Sequence, residues 1–243
     1  MAMKGAYQQI AWVIGVSAVL IALLAVWYNF AHSPATTPPT EATQATSSEA
    51  APSPLTLEEQ ERINPDNVNA MNPVAVMTTN YGVIELELFP DTMPVTAGNF
   101  VTLAEDGFFD GTKFHRVIDN FMIQGGDPLS KDDSMQARWG TGGPDYTIAD
   151  EHVPGELLTN VRGTIAMANS GPNSGGSQFF INVADNTFLD FDKDPLTSKH
   201  PVFGRVIEGM DVVDTINGVE TAPGDRPVEP VVVESITVRS TES

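Results

Sequence analysis

In Val83-Ile84-Glu85-Leu86-Glu87-Leu88, apolar and acidic residues alternate without a break. Ile84, Leu86 and Leu88 therefore share one face of an extended segment, and Glu85 and Glu87 share the other. That is the pattern of a half-buried strand with one wet side. Just upstream, Asn80-Tyr81-Gly82 separates this run from a second apolar stretch over residues 74–78, which predicts a hairpin turn. A chain whose globular part begins this way is directed toward an antiparallel sheet with one covered face.

The remainder keeps the same rhythm. Residues 93–104 predict a helix, with Pro94 in its first turn and Asp106-Gly107 at its end. Short strands with turn signals follow over 114–118, 121–124, 163–169, 177–183 and 202–207. A short helix over 210–217 and a last strand over 231–238 complete the pattern. Many strands and two substantial helices predict a mainly β fold, a closed antiparallel barrel with helices over its ends. No internal repeat is visible, and one globular domain over 71–243 accounts for the pattern.

The first part of the 243-residue chain is of another kind. Residues 5–40 contain no Asp, Glu, Lys or Arg, and within 10–30 only Ser17 and Asn29 are clearly polar. At about 1.5 Å per residue, some 20 residues span the hydrocarbon core of a bilayer. Trp12 and Trp27-Tyr28 stand near the two ends, where amphipathic rings favour the interface. A cleaved signal peptide would carry a shorter apolar run ending in a small-x-small site, and Ala31-His32-Ser33 fits that poorly. The expectation is an uncleaved inner-membrane anchor over 10–30. With Lys4 on one side and no basic residue on the other before Arg62, residues 1–9 are expected in the cytoplasm and the rest outside it. Residues 31–54 are built mainly from Ala, Thr, Ser, Pro and Glu and bury too little to offset ordering entropy. Residues 31–70 are thus expected to be a flexible tether, disordered over most of its length, with a short amphipathic helix over 55–62 capped by Thr56.

The formal charge of −20 argues against nucleic acid and anionic membrane surfaces as partners. Cysteine is absent, so no disulfide, thiolate zinc site or cysteine nucleophile exists. His32, His115, His152 and His200 lack the spacing of a metal site. Gly140-Thr141-Gly142-Gly143 is not followed by Gly-Lys-Ser/Thr, which argues against a phosphate loop. Gly175-Gly176-Ser177-Gln178 is not a nucleophile elbow. Asp132-Asp133 and Asp192-Lys193-Asp194 read as solvated turns.

Strand parity gives the chemistry more shape. Over 177–183, Gln178, Phe180 and Asn182 point one way, mixing amide and aromatic as a binding face would, while Phe179, Ile181 and Val183 point into a core. Over 113–118 the same parity groups Arg116 with Phe114 and Ile118. Taken alone, Arg116 reads as a surface arginine and Phe121, Met122 and Phe180 as ordinary core.

Phe114-His115-Arg116-Val117-Ile118, Phe121-Met122, Gln124-Gly125-Gly126-Asp127, Met167-Ala168-Asn169, Gly171-Pro172-Asn173 and Gly176-Ser177-Gln178-Phe179-Phe180 change that balance. In this order, and continued by Val202-Phe203-Gly204-Arg205-Val206 and Gly209-Met210-Asp211-Val212-Val213, they resemble the cyclophilin-type peptidyl-prolyl cis-trans isomerases over about 74–238. The resemblance implies an eight-stranded antiparallel barrel and rotation about X-Pro bonds without cofactor or metal. It implies that Arg116 is catalytic and that Phe121, Met122, Phe180 and Leu189 form a proline pocket. Gln124, Ala168, Asn169 and Gln178 would hold the peptide backbone, with His200 at the rim. Phe188 stands where many eukaryotic members carry a tryptophan linked to cyclosporin binding. The resemblance therefore implies retained catalysis and weakened cyclosporin affinity. The expected partners are proline-containing polypeptides, exported or periplasmic, served by a monomeric enzyme anchored outside the cytoplasm. The competing readings are a proline-peptide binding module, a chaperone, or a scaffold at the membrane.

Overall fold

The computed structural model describes residues 53–54, 72–193 and 199–239. The anchor expected over 10–30, the cytoplasmic end expected over 1–9 and the helix expected over 55–62 lie outside the described residues. No helix among the described residues is long and apolar enough to cross a membrane.

The hairpin falls where the alternation predicts it. Strands β2 (Val74–Thr79) and β3 (Gly82–Leu88) pair with Thr79 opposite Gly82, leaving Asn80 and Tyr81 as a two-residue turn. Ile84, Leu86 and Leu88 are fully buried, while Glu85 and Glu87 turn outward and pair with Arg239 and Arg205. Helix α1 (Pro94–Glu105) follows, its first turn closed from outside by one carboxylate. Glu151 accepts from the backbone N–H of Val95 at 3.0 Å and of Thr96 at 2.6 Å, serving donors that no side chain at Met93 can satisfy.

The remaining strands are β4 (Arg116–Ile118), β5 (Met122–Gly125), β6 (Tyr146–Thr147), β7 (Thr164–Met167), β8 (Phe179–Asn182), β9 (Val202–Glu208), β10 (Thr221–Ala222), β11 (Arg226–Pro227) and β12 (Val233–Arg239). Helix α2 (Met210–Asn217) lies between β9 and β10 and agrees with the predicted range. Eight strands form one antiparallel sheet in the order β12-β2-β3-β9-β7-β8-β5-β4. Within the tether, a short strand β1 (Ser53–Pro54) pairs in parallel with β6.

The expected closed barrel is corrected to a curled, half-barrel sheet. No ladder joins β12 to β4 among the described residues. Only three residues of β4 follow the register, and the chain before Arg116 leaves it. There Lys113 bridges Val232, and the N–H groups of Gly111 and Phe114 donate to the carbonyls of Val233 and Val231 at 2.8 and 2.9 Å. This detour also corrects the parity over 113–118. Phe114 is not beside Arg116 on a binding face but 1% exposed in the main core, edge-on to Phe179.

That core fills the concave side of the sheet. Phe100 of α1 packs against Phe109, Phe179 and Phe203 with ring centroids 5.0–5.5 Å apart. Offset and edge-on aromatic contacts of this kind add to the burial of area itself. Asp132 and Asp133, read from sequence as a solvated turn, are exposed and cap and begin short 3-10 turns. Asp133 pairs with the buried Lys113 ammonium at 2.8 Å, beneath the ring of Trp139.

His115 lies within this frame, 6% exposed. Burial pushes its imidazole below its ordinary value, against the opposing pull of the Asp127 charge. Its neutral form is therefore the one the fold accepts. Above the unfolded value near 6.5 both states are neutral and nothing is lost. As pH falls below it, the unfolded chain takes up the proton first, and stability declines by up to about 1.4 kcal/mol per pH unit. Thermal melts between pH 7.5 and 5 are expected to show this decline, and His115→Gln to flatten it.

Candidate active site

Register builds the site on the convex face of the sheet. Arg116 lies opposite Gln124, Gln124 opposite Phe180, Phe180 opposite Ala166, and Ala166 opposite Val202. Cross-strand partners project from the same face, so five strands contribute one row. A second apolar cluster occupies that face, separate from the main core. Met122, Ala166, Phe180, Leu189 and Val202 are buried in it, with Ile118, Phe121 and Ala168 packed around them. Four residues expected to form a proline pocket, Phe121, Met122, Phe180 and Leu189, thus stand together.

The rims are polar or aromatic. Phe188 and Leu189 belong to a 3-10 turn over Thr187–Leu189; Leu189 points inward, whereas Phe188 is 53% exposed. The Phe188 ring stacks on Phe121 with centroids 6.0 Å apart and planes 13° from parallel. Across the floor, His200 sets its ring edge-on to Phe180 at 5.3 Å, and its Nδ1–H donates to the Met167 carbonyl at 3.0 Å. Burial pushes the His200 imidazole below its ordinary value, so it is neutral at pH 7.

Beside this floor runs an open groove of about 640 Å³ lined by Gln124, Ala168, Asn169 and Gln178 together with Gly142 and Thr147. The four expected backbone-holding residues all face it, while Arg116 and the apolar floor adjoin it rather than line it. Gln124 donates its amide N–H to Gln178 Oε1 at 3.0 Å, and Gln178 donates to the Gly142 carbonyl at 2.7 Å. Asn169 donates to the Lys199 carbonyl at 2.7 Å. Arg116 reaches the edge of the site from β4, its Nε donating to Asp225 at 3.4 Å, with both side chains about half exposed.

Two further polar assemblies shape the site and had no signal in the sequence. Asp127 is fully buried and accepts from the backbone N–H groups of Leu129 at 2.7 Å, Gly142 at 3.3 Å and Gly140. The glycine-rich segment thus wraps an internal carboxylate. A Cβ on Gly142 would stand 2.1 Å from Asp127 Oδ1, which is why that position carries none. The second assembly corrects the role expected of Asn182. It is fully buried, donates to Asn160 and Thr164, and accepts from Asn186, whose amide also holds the Phe121 carbonyl at 2.8 Å. Asn182 thus stiffens the pocket from beneath, because β8 ends there against other polar side chains.

The geometry agrees with what comparison shows. A family model described as cyclophilin type peptidyl-prolyl cis-trans isomerase/CLD matches residues 74–238. Peptidyl-prolyl cis-trans isomerase B of Streptomyces anulatus is 44% identical over 184 residues, spanning 68% of this chain and 96% of that relative. Peptidyl-prolyl cis-trans isomerase CYP18-1 of Arabidopsis thaliana is 40% identical over 162 residues, spanning 67% and 93%. A crystal structure of a Cryptosporidium parvum cyclophilin type peptidyl-prolyl cis-trans isomerase superposes with a TM-score of 0.60 at 29% identity, covering 71% of this chain and 99% of that one. A second, determined in the presence of the dipeptide Ala-Pro, gives 0.58 at 28%, covering 69% and 99%. The chain belongs to the cyclophilin-type peptidyl-prolyl cis-trans isomerases.

Proposed function

We propose that this isomerase turns X-Pro bonds by stabilising the twisted amide with Arg116, on clients outside the cytoplasm. The observation that carries the catalytic part is the row Arg116, Gln124 and Phe180, one cation and one amide beside an apolar floor. The planar amide resists rotation by about 18–20 kcal/mol because its C–N bond has partial double-bond character. Rotation breaks that conjugation and localises a lone pair on the prolyl nitrogen. A guanidinium there favours the twisted state over either planar one and breaks no bond. Arginine suits this use because it stays charged and offers several donors in a fixed plane. Phe121, Met122, Phe180 and Leu189 hold the ring. Gln124, Asn169 and Gln178, with the Ala168 backbone, hold one side of the bond while the other turns.

The cellular part rests on the charge-free apolar run over 10–30 and the tether that follows it. Such an anchor with a tether of some 40 residues would let the domain sweep chains emerging at the membrane, where X-Pro isomerisation takes tens to hundreds of seconds unaided. We assign proline-containing exported polypeptides as clients and a monomeric working state. Alkaline phosphatase fused after Ser243, a reporter active only outside the cytoplasm, tests the orientation. Activity retained in the membrane fraction is expected. A fusion that is inactive there but active as a cytoplasmic enzyme when a cytoplasmic reporter is substituted would overturn it.

A further inference from the structure

We propose that Asp225 is a positioning residue for Arg116, setting the orientation in which the guanidinium meets the twisted amide; this rests on the reading of Arg116 as the catalytic cation. Asp225 lies at the tip of the hairpin formed by β10 and β11, where Thr221 pairs with Pro227 and Ala222 with Arg226. The turn takes two successive left-handed residues, Gly224 at φ 88° and Asp225 at φ 61°. For a residue with a Cβ that conformation is uncommon, although Asp tolerates it better than most. Here it lets one residue fasten to its neighbour twice. The Asp225 carbonyl accepts from the Val117 N–H at 2.7 Å, docking the hairpin against β4, and its carboxylate receives Arg116 Nε at 3.4 Å.

The consequence is geometric. Arg116 projects from the edge strand of the sheet, half exposed, and an unheld arginine there would spread over many rotamers. A contact at Nε fixes the plane of the guanidinium and leaves the two terminal NH₂ groups as the donors for substrate. Because Asp225 is itself tied to Val117, the next residue along β4, the carboxylate and the cation keep one frame of reference. As an exposed pair the contact adds little to folding. Its effect is expected in the rate instead, as an orientation already made before the transition state.

The test uses the full chain in detergent and a succinyl-Ala-Ala-Pro-Phe anilide substrate. Asp225→Asn keeps the shape and the tolerance of positive φ but removes the charge. The expected result is a fall in kcat/KM of about three- to five-fold, the size of an exposed charged pair, with melting temperature and peptide affinity unchanged. In an Arg116→Lys background, Asp225→Asn is expected to have no further effect, since the planar fork it aligns is gone. Full activity in Asp225→Asn, or a gain, overturns the positioning role while a deep loss in Arg116→Ala keeps the catalytic reading. An equal fall in both backgrounds also overturns it, because Asp225 would then act through something other than Arg116. If Arg116→Ala is fully active, the catalytic reading fails and this inference fails with it.

Discussion

Arg116→Ala is expected to lower kcat/KM for an X-Pro peptide by about 10²- to 10³-fold, with the fold and peptide binding intact. The size follows from what the residue would supply. Removing one preorganised donor from a developing charge costs about 2.7–4 kcal/mol of transition-state stabilisation in enzymes that work this way. The fold should tolerate the change, because the Arg116 side chain is 44% exposed and belongs to neither apolar cluster. No buried side chain is removed, and the hydrogen bond lost among the described residues is the exposed contact with Asp225. Ground-state affinity should persist, because the apolar floor and the Gln124–Gln178 pair are undisturbed. Arg116→Lys should fall between, keeping the charge without the planar fork. A protease-coupled assay and a peptide titration on the same preparation separate the two quantities. Unchanged turnover would mean that the pocket and backbone contacts alone twist the amide.

The second large effect is expected in stability. Asp127→Ala should cost about 3 kcal/mol, since it empties a fully buried site and leaves the part-buried N–H groups of Leu129, Gly140 and Gly142 without their acceptor. For a domain of this size that is a fall in melting temperature of about 6–12 °C. Turnover should fall as well, because Gly142 carries the carbonyl that anchors Gln178 beside the groove. Asp127→Asn keeps one acceptor oxygen and should lose roughly half as much. Calorimetric melts of the three proteins give the order directly. Equal melting temperatures for wild type and Asp127→Ala would show that the loop satisfies its own backbone without the carboxylate.

The sequence exposed the sheet and the apolar half of the site more fully than the polar half. Alternation located β2 and β3 because one face of each is covered along its whole length. The amphipathic run over Met210–Asn217 located α2 for the same reason. The motifs brought Arg116, Gln124, Phe180 and their neighbours into one site because strand pairing preserves their spacing. Parity misled where it was carried past the end of a ladder. At Phe114 the backbone has left β5 for Val231, whereas Asn182 keeps the face that parity gave it, opposite Met122, and loses only its binding role, to a buried amide network. Asp225 and Asp127 gave no warning in sequence. One partner of Asp225 is 109 residues away, and Asp127 serves backbone donors that look alike in any loop.

The way the curled sheet ends has a bearing on the company such an enzyme keeps. An isomerase of X-Pro bonds meets polypeptide that is still extended, with backbone donors and acceptors unspent. An open strand beside such a chain is a template for cross-β pairing. Where β12 begins and along β4, this sheet offers groups already engaged. Val231 and Val233 are taken by Phe114 and Gly111, and the Val117 N–H by Asp225. A half-barrel sealed by loops can thus take hold of a proline and let go of the chain that carries it.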